Sequence, residues 1–284
     1  MKKILITGAN SYIGTSFEKY MKKYDGYMID TLDMLDASWK EKDFSGYDVV
    51  FHVAGIAHSD VKNVTEETKK KYYAVNTDLT VETAKKAKKS DVGQFIFMSS
   101  MIVFGTKQEC IKKDTVPHPD NFYGDSKLKA DIGIHNLEDE NFKVVSVRPP
   151  MIYGKGSKGN YPLLAKFAKR TPVFPCYPNK RSMLYIENLC EFVKRIIDNN
   201  ETGFFYPQNN EYTETYKMVG EIAEVSGKKI VFIKLFNPLI KVCKGHPVIK
   251  KVFGNMYYDK SLSDYDDNSW CVVDLKESIK RTEN

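Results

Sequence analysis

The opening stretch constrains this chain most. Lys2-Lys3-Ile4-Leu5-Ile6-Thr7 is an apolar run of strand length that enters Gly8-Ala9-Asn10-Ser11-Tyr12-Ile13-Gly14, a loop of mostly small residues. Ile13, Phe17 and Met21 then recur at helical spacing, so the order is strand, loop, helix. Such a helix N-terminus suits a pyrophosphate: small residues let the backbone approach the anion, while unpaired amides and the helix dipole favour negative charge. Gly8 and Gly14 fill this role directly, with Asn10, Tyr12 and Ile13 beside them. Ser11 stands where a third glycine is usual, so its side chain has to stay clear of the phosphates. An ordinary strand-turn-helix reads the same way until later motifs are added.

With 284 residues, 42% of them hydrophobic, the chain has room for a full core, and no apolar stretch approaches the length that crosses a bilayer. It reads as a soluble chain of one large domain and a smaller one. Met1-Lys2-Lys3 opens like a signal peptide, yet only Ile4-Leu5-Ile6 are apolar before Thr7, too few for export, so a cytoplasmic location is expected. Cys110, Cys176, Cys190, Cys243 and Cys271 are scattered and never at metal-ligand spacing, which argues for reduced structural thiols and no metal site. The formal charge of +6 is modest, and lysines spread along helical segments are more often solvated faces than a nucleic-acid track. The expected anionic partner is a phosphorylated small molecule, not a nucleic acid.

Tyr27 to Thr31 reads as a second strand. An acidic residue about 20 positions past the glycine loop commonly bonds the adenosine ribose, which suggests Asp30 and favours NAD over NADP. Leu32-Asp33-Met34-Leu35-Asp36 follows at once, so the usual helix before the third strand is missing or very short, and Asp33 competes for the nucleotide. Asp48 to Gly55 is a buried-type strand whose end, Val53-Ala54-Gly55, leaves space for a cofactor. His52 lies inside the apolar run and reads as a core histidine, while His58 and Asp60 fall in a loop. Residues 64–89 form a long helix with Tyr72, Val75, Leu79, Thr83 and Ala87 on the buried stripe; Asn76 interrupts that face and needs a partner.

Gln94 to Met98 is the next strand, ending in Ser99-Ser100, where such sheets bind ligands. Residues 122–137 are helical, with Tyr123 and Lys127 four apart on one face. Of 18 tyrosines, only Tyr123 has a lysine at that spacing. Phe142 to Val147 is a further strand, left through Arg148-Pro149-Pro150-Met151. From about residue 155 the strand-helix alternation lapses into helices at 161–169, 187–197 and 214–225 with short strands at 204–206 and 230–233. The expected division is a cofactor-binding domain over 1–153, with a returning strand near 183–206, and a mainly substrate-binding region over 154–284.

In order, these residues resemble the extended short-chain dehydrogenase/reductase family, and within it the nucleotide-sugar epimerase branch that includes UDP-glucose/UDP-galactose 4-epimerases. The resemblance covers nearly the whole chain. It rests on Thr7 to Gly14, His52 to Gly55, Asn76, Ser99-Ser100 through Gly105, Tyr123 with Lys127, Arg148 to Gly154, and Arg181 to Leu189. It implies an α/β fold, a Rossmann doubly wound parallel sheet with a smaller α+β C-terminal substrate-binding region. It also implies a homodimer and bound NAD, with NADP as the alternative. Tyr123 becomes the catalytic acid/base, Lys127 its electrostatic partner and a ribose ligand, and Ser100 the hydroxyl that orients substrate. Asn76 and Pro150 join the cofactor set; Met101, Met151 and Arg181 join Ser100 in the substrate set, with Arg181 on the nucleotide diphosphate. The chemistry wants the same trio, because a tyrosine titrates near ~10 and a neighbouring lysine and an oxidised nicotinamide each stabilise the phenolate.

Met101 and Ile102 occupy positions where related sugar dehydratases and decarboxylases carry acids. Neither can move a proton, so epimerase and 4-keto-sugar reductase remain. The expected reaction is NAD-dependent epimerisation of a UDP-hexose or UDP-N-acetylhexosamine at C4, by hydride abstraction and return, serving surface polysaccharide synthesis. The alternatives are an NADP-dependent nucleotide-sugar 4-ketoreductase and a non-catalytic dinucleotide-sensing protein, against which the intact Ser100, Tyr123 and Lys127 argue. Residues 235–256 are the least family-like: apolar pairs alternate with Lys241, Lys244, Lys250 and Lys251. The ordinary reading is a helical flap or dimer contact; a basic amphipathic segment on an anionic membrane is the other.

Overall fold

A computed structural model describes residues 1–57 and 64–284, so His58 and Asp60 lie outside the described residues. The chain divides into two compact units. The first comprises Met1–Gly105, Val116–Pro149 and Leu189–Pro207; the second comprises Thr106–Thr115, Pro150–Asn188 and Gln208–Asn284. A single cut after residue 153 does not describe this division. Pairing of Cys110–Ile111 with Tyr257–Tyr258 draws the 106–115 loop into the second unit.

In the first unit, six parallel strands form one sheet: β1 (Lys2–Thr7), β2 (Tyr27–Leu32), β3 (Val49–His52), β4 (Gln94–Met98), β5 (Lys143–Val147) and β6 (Gly203–Phe205). The helices are α1 (Tyr12–Met21), α2 (Glu66–Tyr73), α3 (Leu79–Lys89), α4 (Phe122–His135) and α5 (Ile186–Asp198). Strand order is β2-β1-β3-β4-β5-β6, so the winding reverses between β1 and β3, the switch point at which open α/β sheets bind ligands. Every residue of β3 and β4 is buried, as a central parallel sheet requires. Between β2 and β3 there is only a helical turn, Ala37–Lys40. This stretch still covers the sheet, since Trp39 and Phe44 pack in the core with Leu5, Val50 and Phe95.

The long helix of residues 64–89 is interrupted by a wide turn at Ala74–Asp78. That turn moves the buried stripe from the expected Val75 and Leu79 to Asn76 and Thr80, which are fully buried. The extra residue lets the Asn76 side chain reach its partners across the unit, described below. His52 donates to or accepts from Thr7 Oγ1 at 2.8 Å and Thr80 Oγ1 at 3.1 Å. It is a core residue, as its setting in the sequence indicates.

Burial, aided by nearby Lys127, pulls the His52 pKa down to about 3. An unfolded chain titrates near ~6.5, so between about pH 6.5 and 3 the unfolded state takes up a proton that the folded state refuses. Stability from this group is therefore complete above pH 6.5 and is lost as pH falls. His52→Gln is expected to flatten the acid limb of the unfolding midpoint plotted from pH 7 to pH 4. An unchanged slope would show that other groups set it.

The second unit is built from two-stranded parallel pairs, Met151–Tyr153 with Met183–Tyr185 and Val173–Pro175 with Val231–Ile233, and from the helices Asn160–Arg170, Thr215–Val225 and Leu275–Glu283. Its centre is aromatic and polar at once. Tyr153 stacks on Tyr161 at 5.3 Å, and its hydroxyl meets Ser278 Oγ at 2.6 Å and accepts from Asn209 Nδ2 at 3.1 Å. Residues 235–256 are not one amphipathic helix. They form two short ones, Asn237–Val242 and Pro247–Phe253, because Gly245 and Pro247 break the run.

Candidate active site

The glycine loop joins β1 to α1 at the switch point. Gly8 has φ of +114°, and a Cβ there would lie 2.6 Å from the Ala54 amide nitrogen, so only glycine brings the loop this close to the end of β3. Ser11 caps α1: its Oγ accepts the Gly14 amide at 3.1 Å. The cap turns the hydroxyl back on the helix and so meets the requirement that serine stay clear of an anion. The first-turn amides of Tyr12 and Ile13 have no acceptor among the described residues. They are free to bind phosphate oxygens.

Gly8 and Ala9 both donate to the Leu32 carbonyl, at 2.9 and 3.0 Å, which places the end of β2 beside the loop. Asp30 lies two residues short of that end, paired with Leu5, and its carboxylate accepts the Tyr47 hydroxyl at 2.5 Å. Asp33 follows the strand directly, with one oxygen taken by the Leu35 amide at 2.9 Å. Of the two aspartates, Asp33 is next in sequence to Leu32, whose carbonyl accepts the loop amides.

Val53 and Ala54 donate to the Thr7 carbonyl at 2.9 and 3.0 Å, continuing β3 into the switch point. Asn76 fixes the loop beyond them. Its Oδ1 accepts the Ile56 amide at 2.8 Å, and its Nδ2 donates to the Ile56 carbonyl and to Ser126 Oγ, each at 3.1 Å. Asn76 thus shapes the cofactor loop with its whole side chain. A Cβ on Gly55 would come within 3.0 Å of Lys127 Nζ and 3.1 Å of Asn76 Oδ1, which ties this loop to α4.

Ser100, two residues beyond β4, caps the turn Met101–Phe104, accepting the Ile102 amide at 3.3 Å. The Tyr123 phenol lies near enough to the Ser100 hydroxyl for that group to favour its ionised form, and its ring stands edge-on to Tyr72 at 6.1 Å. One turn along α4, Lys127 Nζ donates to the Met98 carbonyl at 2.9 Å and sits over the Phe97 ring at 4.5 Å. The three residues read from the sequence therefore converge at the C-terminal end of β4.

Their electrostatics differ from the expectation of a lowered tyrosine. Burial pushes the Tyr123 phenol up to about 12, with the nearby Ser100 hydroxyl opposing. Burial also brings Lys127 down to about 8, opposed by Asp131. In the protein alone Tyr123 is a protonated phenol, because burial disfavours its charged form.

Asp131, one turn beyond Lys127, went unread in the sequence. It is fully buried and accepts Ser99 Oγ and Arg148 Nε, each at 3.0 Å. Arg148 in turn lies over the Phe204 ring at 4.2 Å. Tyr123, Lys127 and Asp131 recur at intervals of four, a spacing that could have flagged it.

Pro150, Met151 and Arg181 belong to the second unit. Pro150 is buried and Met151 half-buried, while Met101, in the first unit, is only 5% exposed. The Arg181 guanidinium is half-buried and donates to the carbonyls of Lys251 and Gly254 at 3.2 and 3.0 Å. No carboxylate pairs with it among the described residues.

Residues 4–206 match the model of the NAD dependent epimerase/dehydratase family. The chain belongs to that family. A UDP-glucose 4-epimerase of Vibrio cholerae is 32% identical over 248 residues, spanning 78% of this chain and 75% of that protein. An N-acetyl-alpha-D-glucosaminyl-diphospho-ditrans,octacis-undecaprenol 4-epimerase of Escherichia coli O157:H7 is 24% identical over 276 residues, or 89% and 82% of the two chains. The solved UDP-N-acetylglucosamine 4-epimerase from Bacillus cereus matches with a TM-score of 0.77 at 17% identity, covering 100% of this chain and 96% of that one, a likeness of fold. Among the described residues no helix is long and apolar enough to cross a membrane.

Proposed function

We propose that this family member is a nucleotide-sugar 4-epimerase that keeps NAD bound through turnover, acting on a UDP-hexose or UDP-N-acetylhexosamine in the cytoplasm and serving surface polysaccharide synthesis. The observation that carries the reading is the juxtaposition of Tyr123 and Ser100 at the ligand end of β4, beside the buried Lys127 and with no acid at positions 101 and 102. The residues fit the cofactor. The open amides of Tyr12 and Ile13 would hold the pyrophosphate, Asp33 the ribose hydroxyls, and Gly8 and Gly55 keep side chains out of the cleft. A carboxylate at that position would repel a 2′-phosphate, which favours NAD over NADP.

When bound, NAD supplies a hydride acceptor and donor and a positive charge. Ser100 holds the sugar hydroxyl at the reacting carbon, and Tyr123 removes that hydroxyl's proton and later returns it. Lys127 balances the charge that develops on the phenolate. Because the same tyrosine serves both halves, no second acid is required, and positioning supplies much of the rate.

The deciding experiment is to purify the protein, identify the nucleotide it carries by mass, and assay UDP-glucose, UDP-galactose and their N-acetyl forms without added cofactor. NAD in the protein with interconversion of one pair establishes the reading. Turnover only with added NADPH and a keto-sugar would establish a reductase.

We assign Arg181 to the substrate diphosphate, since a half-buried guanidinium without a carboxylate partner among the described residues offers its remaining donors to paired phosphate oxygens. Arg181→Ala is expected to raise KM roughly 10- to 100-fold with little change in kcat, the loss of a charged hydrogen-bond donor used equally in ground and transition states. A KM within about twofold of the parent would exclude the assignment.

A further inference from the structure

Residues 226–258 contain seven lysines and no aspartate or glutamate, although acids and bases are nearly balanced in the whole chain, 37 against 43. None of these seven lysines is in an ion pair among the described residues. Through the same stretch, large apolar side chains face outward. Leu235 is 79% exposed, Leu239 62%, Val242 84% and Val248 60%.

This is not a frayed segment with random exposure. Leu235, Leu239 and Val242 follow at i, i+4 and i+7, one face of the short helix Asn237–Val242 and its lead-in. On the other face Ile240 is 4% exposed, and Asn237 Nδ2 anchors the helix to the Cys176 carbonyl at 2.9 Å. The helix is fastened by one apolar residue while three others point to solvent. Val231, 60% exposed, extends the same apolar character onto the neighbouring strand pair. Contiguous apolar surface of this kind marks an interaction site.

Two occupants have the right apolarity, and charge separates them. A second copy meeting this face across a two-fold axis would set lysines against lysines with no acid in the stretch to pair them. An anionic bilayer complements both features, since leucine and valine enter the headgroup boundary while lysines bind lipid phosphates. We propose that the surface formed by residues 231–248 of the second unit docks on an anionic phospholipid membrane. This does not rest on the epimerase reading, because a chain inactive on every UDP-sugar would still bind vesicles.

The test is flotation of the full-length protein with vesicles of phosphatidylcholine alone and of phosphatidylcholine mixed with phosphatidylglycerol. The protein is expected to float with the mixed vesicles only, and less so as salt rises. Lys234→Gln with Lys241→Gln should weaken that binding about tenfold or more, since each lysine near an anionic surface contributes about fivefold. Leu239→Asp with Val242→Asp should abolish it. All four side chains are exposed, so bound nucleotide and tryptophan fluorescence should match the parent and show that the variants fold. Equal recovery with both vesicle types, no recovery with either, or unaltered binding by the aspartate variant would each overturn the proposal. A dimer in sedimentation that the aspartate variant dissociates would overturn it in favour of a second copy.

Discussion

Tyr123→Phe is expected to yield a folded protein that still carries NAD and no longer interconverts sugars, with kcat reduced about 10²- to 10⁴-fold or more. The variant deletes one oxygen. The ring that remains keeps its edge-on contact with Tyr72 at 6.1 Å, so α4 and the core beneath it stay packed. Ser100 keeps its bond from the Ile102 amide, and Lys127 its bond to the Met98 carbonyl. What disappears is the group proposed to accept and return the sugar proton. Burial holds that phenol near 12 in the protein alone, so Tyr123 works as a base only when charge is added beside it, which couples proton transfer to the presence of cofactor. Cofactor content by mass and turnover by a coupled assay separate the two effects. Unchanged turnover would remove Tyr123 from the mechanism, and loss of NAD would make its role structural.

Much of this site is legible in the sequence because its parts are local. A strand running into Gly8 to Gly14, a strand ending at Ser100, and Tyr123 four residues before Lys127 each announce themselves within a few residues. The parts that escape are those decided across the fold. Asn76 sits inward because a wide turn lets it satisfy the Ile56 backbone and Ser126, fifty residues away, and no helical periodicity contains that information. Asp30 looks right by distance along the chain, but the register of β2 on β1 leaves it two residues short of the loop. A lysine four residues on suggests a lowered tyrosine, but the burial that raises the phenol instead is set by the packing of distant residues and is invisible in a one-dimensional reading. Residues 235–256 were unreadable for a different cause. Their apolar residues exceed what the unit buries, so periodicity alone could not say which face is covered.

Asp131→Ala is expected to destabilise the first unit by about 3–5 kcal/mol, because it strands a buried arginine rather than merely deleting a contact. Asp131 is wholly buried and Arg148 is 4% exposed, and the carboxylate receives both the arginine and Ser99 at 3.0 Å. The aromatic faces of Phe104, Phe204 and Tyr206 around the guanidinium offer cation-π attraction, which is weaker than the ion pair they would have to replace. The double variant Asp131→Leu/Arg148→Met tells the two explanations apart. If the cost lies in the unpaired charge, removing both partners restores most of the stability, since an apolar pair of similar volume is about as stable as a buried ion pair. Urea unfolding followed through Trp39, which is buried in the core of this unit, reads the result. Recovery of stability in the double variant with turnover still depressed would show that the pair also positions Lys127, which lies one turn before Asp131 on α4. A double variant as unstable as Asp131→Ala would instead mean that the ion pair itself holds β4, α4 and β5 together.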